Sequence, residues 1–153
     1  LDTVEVYDPQ ADSWQRVASM PRGLYGHAAA AMDGKIYVTG GANQDDSANS
    51  VCVYDPQADA WTHLASMSTG RLHHASAAVG GKLYVFGGIG SEEDDEDFST
   101  AEVYDPASDS WAQASSLTSE RSYAVAVALA PKPERGSGFV PPSKGKSVLK
   151  SMR

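Results

Sequence analysis

One cysteine, Cys52, stands in 153 residues. A single thiol excludes an internal disulfide framework and a multi-cysteine zinc site, and it fits a reducing compartment. No run of 18 apolar residues occurs, so no segment reads as a membrane-spanning helix. Basic residues are scarce over most of the chain. Residues 1–130 hold six Lys and Arg against 19 of the 20 Asp and Glu, a net charge of −13. Such a body repels nucleic acid, whose binding needs a basic footprint. Neither a nucleic-acid partner nor membrane insertion is expected. No secretory leader is expected, since Asp2 follows Leu1 and no apolar core comes after it. Leu1 stands where Met is usual, and the expectation is that further sequence precedes it. No Gly-rich phosphate loop, nucleophile elbow or catalytic carboxylate pair appears, so neither catalysis nor a cofactor is expected. Across residues 1–130 no apolar period of 3.6 is found, which argues against helix.

What is present is a repeat. Val6-Tyr7-Asp8-Pro9 recurs as Val53-Tyr54-Asp55-Pro56 and as Val103-Tyr104-Asp105-Pro106, offsets of 47 and 50 residues. Trp14, Trp61 and Trp111 follow at a constant distance and are all the tryptophans of the chain. Upstream of the second and third copies, a strand-like run ends in Gly40-Gly41 and Gly87-Gly88. Self-similarity at this period marks an array of identical supersecondary units.

Each unit reads as four short strands. Strand A is small and apolar: Ala28 to Met32, Ala75 to Val79, Tyr123 to Leu129. Asp33-Gly34 or Gly80-Gly81 then supplies a tight hairpin, since such turns need positive φ. Strand B runs Lys35 to Thr39 and Lys82 to Phe86, rich in β-branched and aromatic residues. Strand C covers Val4 to Tyr7, Val51 to Tyr54 and Ala101 to Tyr104. A turn at Asp-Pro leads into strand D, which carries the tryptophan. Alanine-rich A strands suit a crowded axis, and the aromatics suit the wider gaps between sheets.

The double glycine, the strand-B tyrosine, Tyr-Asp-Pro and the spaced tryptophan together closely resemble the kelch repeat, over residues 4 to about 129. The resemblance implies an all-β fold, a β-propeller in which each repeat is one four-stranded blade. Gly40, Gly41, Gly87, Gly88, Tyr7, Tyr54, Tyr104, Trp14, Trp61 and Trp111 are then structural repeat positions. The version found here is most similar to the kelch-like family, which places BTB and BACK domains before a six-bladed propeller. Many of its members are substrate receptors of cullin-RING ubiquitin ligases. The implied organisation is an incomplete propeller. Residues 1–25 end a partial blade, 26–72 and 73–121 are blades, and 122–130 form a final strand closing the first blade of a longer protein. Residues 131–153 are a basic, Pro/Gly/Lys-rich tail, expected to be disordered and to be either the natural terminus or a splice or frame variant. Such an arc has open strand edges, so the isolated polypeptide is expected to be unstable or aggregation-prone.

The resemblance also points to a binding face made of the B–C and D–A loops. Arg71, His73 and Arg121 align with partner-contacting residues of kelch-like proteins, and Tyr25 and Tyr123 are aromatic neighbours of a hot-spot type. The alternative is that these arginines bond backbone carbonyls and brace the loops. Glu92, Glu93, Asp94, Asp95, Glu96 and Asp97 form either an acidic dock for a basic peptide or a solvated insertion. His27, His63, His73 and His74 show no ligand spacing, so no metal site is expected. Cys52 alternates with valines and reads as core packing. The leading expectation is a protein-interaction module: a propeller that holds a target while a cullin-RING ligase, reached through BTB and BACK regions, supplies the chemistry. An actin-binding scaffold is the alternative and a kelch-type enzyme a third reading. A cytoplasmic location, or a cytoskeletal one for the scaffold, goes with them.

Overall fold

The computed structural model describes residues 1–43, 49–91 and 96–129, and the backbone of 148–152. Twelve strands and no helix occur among them. β1 (Val4–Asp8) and β2 (Ser13–Val17) form an opening pair. β3 (Ala28–Met32), β4 (Lys35–Thr39), β5 (Val51–Asp55) and β6 (Ala60–His63) make the first complete antiparallel sheet. β7 (Ala75–Val79), β8 (Lys82–Phe86), β9 (Ala101–Asp105) and β10 (Ser110–Ala114) make the second. β11 (Val125–Leu129) pairs with β12 (Val148–Met152). Each complete sheet is ordered by sequence, a meander in which every strand pairs with the next.

Local chemistry accounts for the turns. Asp33 and Gly34 both have positive φ, 52° and 75°, as the tight hairpin between β3 and β4 requires. In the C–D turns the first aspartate accepts backbone N–H bonds: Asp8 from Gln10 at 2.8 Å, Asp55 from Gln57 at 2.9 Å, Asp105 from Ala107 at 3.0 Å. The second aspartate, at 12, 59 and 109, takes the left-handed conformation with φ of 46–48°. Asp is among the few side chains that tolerate it.

The sheets pack face to face through a repeated joint. Trp61 Nε1 donates to the Ala18 carbonyl and Trp111 Nε1 to the Ala65 carbonyl, both at 2.8 Å. Asp59 accepts from Ala18 N–H and the Tyr54 hydroxyl, and Asp109 from Ala65 N–H and the Tyr104 hydroxyl. Behind these bonds Met32, Tyr37, Val53, Leu83 and Tyr104 are buried together. The Tyr37 and Tyr104 rings lie 6.2 Å apart. The tryptophan thus pins its own blade to the preceding one. β3, β7 and β11 lie side by side on the inner edge, where alanine lets them approach. At the double glycine, Gly41 N–H donates to the Arg71 carbonyl and Gly88 N–H to that of Arg121. A Cβ on Gly88 would stand 2.5 Å from the Leu72 carbonyl oxygen, so the second glycine is sterically required.

One expectation is corrected. The tail is not without structure: Val148–Met152 forms β12, and its backbone completes five pairs with β11. A composition reading weighed proline, glycine and lysine across the whole tail. It passed over five residues, free of Pro and Gly, opposite an edge whose N–H and C=O groups seek a partner. Residues 130–147 and 153 lie outside the described residues.

Candidate partner-binding face

The D–A loops deliver three equivalent residues to one rim: Gly26, His73 and Tyr123. All are left-handed, with φ of 63°, 52° and 51°. They are chained by backbone bonds, His73 N–H to the Gly26 carbonyl and Tyr123 N–H to the His73 carbonyl, each 2.8 Å. For His73 and Tyr123 this conformation costs about 1 kcal/mol or more each, which Gly26 avoids. The two rings stack at 4.1 Å with a 19° tilt. Tyr123 stays 66% exposed, and Tyr25, one residue before Gly26, is 51% exposed. Leu72, beside His73, is buried and bridges Ile89 of the B–C loop, which in turn bridges Asp97. D–A and B–C loops therefore meet around the stack.

Arg71 does not join this surface. It is fully buried, its side chain 0% exposed. Its guanidinium donates to the carbonyls of Gly87 at 2.8 Å and Thr100 at 3.1 Å, to Thr100 Oγ1 at 2.9 Å and to Glu102 Oε1 at 3.4 Å. Phe98 covers it, with the ring centroid 5.6 Å from Cζ. Arg71 is the brace of its blade, and the expectation that it touches a partner is corrected by its burial. Glu102, 1% exposed, also accepts from Ser68 N–H, Ser68 Oγ and Thr69 N–H. Burial alone would raise its carboxyl; the Ser68 and Thr69 bonds and Arg71 outweigh burial and hold it below the usual range. The sequence reading missed Glu102. Its signal was a charge inside an otherwise apolar strand.

Arg121, half-buried, donates to Ser119 Oγ at 2.6 Å. In the acidic loop Glu96 is exposed and Asp97 half-buried; Glu92, Glu93, Asp94 and Asp95 lie outside the described residues. His74 is buried with Nε2 2.8 Å from Thr39 Oγ1 of the preceding blade. Burial and the nearby Arg71 lower its pKa to about 3, so it stays neutral. His63 is exposed on β6. No three His, Cys, Asp or Glu side chains converge as a metal site among the described residues. Cys52 is buried in β5, and burial pushes its thiol up to about 11.

Comparison with known proteins agrees with this geometry. The KLHDC2/KLHL20/DRC7 Kelch-repeats domain matches residues 1–131. The chain belongs to the kelch-repeat family. Its kelch segment is 46% identical over 41 residues to Kelch-like protein 36 of Bos taurus and 42% identical over 41 to Kelch-like protein 33 of Homo sapiens. Each match covers 27% of this chain, and 7% and 8% of those relatives. It is also 41% identical over 46 residues to a Shigella sonnei protein named N-acetylneuraminate epimerase, covering 29% of this chain and 12% of that one. The chain therefore spans a small part of each relative's length. The fold is an incomplete kelch propeller, and the family supports a protein-interaction module.

Proposed function

We propose that this kelch arc is target-recognition surface of an adaptor for a cullin-RING ubiquitin ligase, with His73, Tyr123 and Tyr25 at its centre. One observation carries the reading. His73 and Tyr123 hold a left-handed conformation that glycine fills in the neighbouring blade, so their side chains are kept at a cost in stability. A stacked, half-exposed pair on a rigid loop rim suits capture of a protein segment, since aromatic anchors dominate interface energies. The likeness to kelch-like proteins supports the ligase part of the reading.

Glycine substitution separates binding from folding. In the full-length protein, His73→Gly with Tyr123→Gly keeps the backbone geometry and removes both rings. Affinity capture from cells is expected to recover a target together with a cullin scaffold from the parent protein. The variant is expected to keep the cullin, lose the target and melt at an unchanged or higher temperature. A retained target would move the binding surface elsewhere. Filament co-sedimentation without cullin would make the protein a cytoskeletal scaffold.

A further inference from the structure

One arginine closes the base of the second B–C loop, residues 89–100. Arg71 donates to the carbonyl of Gly87, before the loop, and to the carbonyl and hydroxyl of Thr100, its last residue. Phe98 lies over the same guanidinium. Leu72 and Ile89 exchange backbone bonds of 2.8 and 2.9 Å. Phe98 N–H donates to the Gly88 carbonyl at 2.7 Å, and the Phe98 carbonyl accepts from Arg121 N–H at 3.2 Å. Tyr123 N–H to the His73 carbonyl completes the circuit. The two feet of the loop are therefore fixed between the D–A loops that carry His73 and Tyr123. In the first blade Leu24 stands in the place of Arg71 and cannot make these bonds.

The fixed feet carry acid. Glu96 is exposed and Asp97 half-buried. The bridges Leu72↔Ile89 and Ile89↔Asp97 put Asp97 two strand spacings, about 10 Å, from Leu72, the neighbour of His73. Charges at that range are only partly screened at physiological salt. The four residues that precede Glu96 in sequence are Glu92, Glu93, Asp94 and Asp95, and neither B–C loop, 42–50 or 89–100, contains a Lys or Arg. The arginines of the D–A loops are drawn inwards. Arg71 is buried against Glu102, and Arg22 and Arg121 are half-buried. Lys35 and Lys82 sit at the far ends of β4 and β8, paired with Asp55 and Asp105. The rim thus combines negative charge with an aromatic stack, centred on His73 with Gly26 on one side and Tyr123 on the other.

We infer that the segment held at this rim is basic, and that it sets an arginine against the His73–Tyr123 stack with Glu96 and Asp97 alongside. The inference rests on the rim being the target surface. An aromatic face attracts a cation through its quadrupole. Guanidinium suits the place better than ammonium, because it is planar, lies flat on a ring and still presents a fork of N–H groups to a carboxylate. An acidic segment would meet like charge, with Arg71 already held by Glu102 inside the blade. An apolar segment would take water from Glu96 and Asp97 and return no hydrogen bond.

The test uses the full-length protein and a displayed library of short random peptides. Peptides recovered by the parent but not by His73→Gly with Tyr123→Gly are rim binders. They are expected to be rich in arginine and poor in Asp and Glu. Fluorescence anisotropy with one labelled rim binder then resolves the contacts. Replacing its anchoring arginine by lysine is expected to weaken binding about tenfold. Glu96→Lys, at an exposed site, is expected to weaken binding and flatten its dependence on salt. Rim binders that are acidic or apolar would overturn the inference and leave the rim as the target surface. Equal affinity for the lysine peptide, or binding unmoved by Glu96→Lys, would do the same. Arginine-rich peptides that the glycine variant still holds, or a library that yields no rim binder, would overturn both readings.

Discussion

Arg71→Met tests the reading of Arg71 as a brace. The substitution keeps the apolar stem and removes a guanidinium that is 0% exposed and bonded to Gly87, Thr100 and Glu102. Glu102 is left 1% exposed, still bonded to Ser68 and Thr69 but without a countercharge. Breaking a buried pair from one side costs about 3–5 kcal/mol. For a chain of this size that is a fall in Tm of roughly 10 °C. Urea unfolding followed by tryptophan fluorescence reads it through Trp61 and Trp111. The neighbouring blade supplies the control. Leu24 and Cys52 occupy the equivalent positions there, so Arg71→Leu with Glu102→Cys copies a solution this fold already uses. The double variant removes the stranded charge but orphans the N–H groups of Ser68 and Thr69, at about 1–3 kcal/mol. It is therefore expected to be more stable than Arg71→Leu alone. A single variant costing less than about 1 kcal/mol, or a double variant costing the sum of its singles, would refute the argument. Loss of target binding at unchanged stability would return Arg71 to the binding face.

Three further outcomes follow from the same geometry. Gly88→Ala, whose Cβ meets the Leu72 carbonyl at φ of 89°, is expected to destabilise by about 2 kcal/mol or more, against about 1 for Gly34→Ala, which meets nothing within 4 Å; paired denaturant melts give the ranking. Trp111→Phe removes the bond to the Ala65 carbonyl and is expected to cost about 1–2 kcal/mol in the same assay, with more if the blades separate. Acid is expected to weaken the fold before the carboxylates titrate. His74 has a folded pKa near 3 and an ordinary value of 6.5, so below pH 6.5 the unfolded chain takes up a proton that the folded one refuses. Stability is then lost as pH falls from about 6.5 towards 3, at up to about 1.4 kcal/mol per pH unit. His27, also lowered by burial, adds the same sign. His74→Gln should flatten the slope between pH 6 and 4.5.

The repeat made the architecture legible from sequence. Tyr7, Tyr54 and Tyr104, with Trp14, Trp61 and Trp111, recur because each joint needs the same hydroxyl, indole and aspartate. Period-2 runs bounded by Gly-Gly and Asp-Pro therefore placed the repeat strands within a residue or two. The Arg71–Glu102 brace was hidden because it joins residues 31 apart that share no motif. It shows only when Leu24/Cys52 is set against Arg71/Glu102. β12 was hidden for another reason. An edge strand accepts almost any extended backbone, so pairing there is decided by the β11 edge and not by the composition of the tail.

Repetition also separates stability from recognition. A residue that recurs in every blade answers a demand of the fold, as Asp59 and Asp109 do in holding Ala18 and Ala65. A residue that departs from the pattern and costs stability answers some other demand. Gly26 shows that the left-handed rim position needs no side chain. His73 and Tyr123 fill it nonetheless, and their rings stack on each other over an exposed rim. If packing alone selected them, glycine at both positions would lower the melting temperature by more than the relieved strain raises it. If recognition selected them, the same change raises stability by up to about 1 kcal/mol per site and abolishes capture of the target. Only the second result fits an exposed Tyr123.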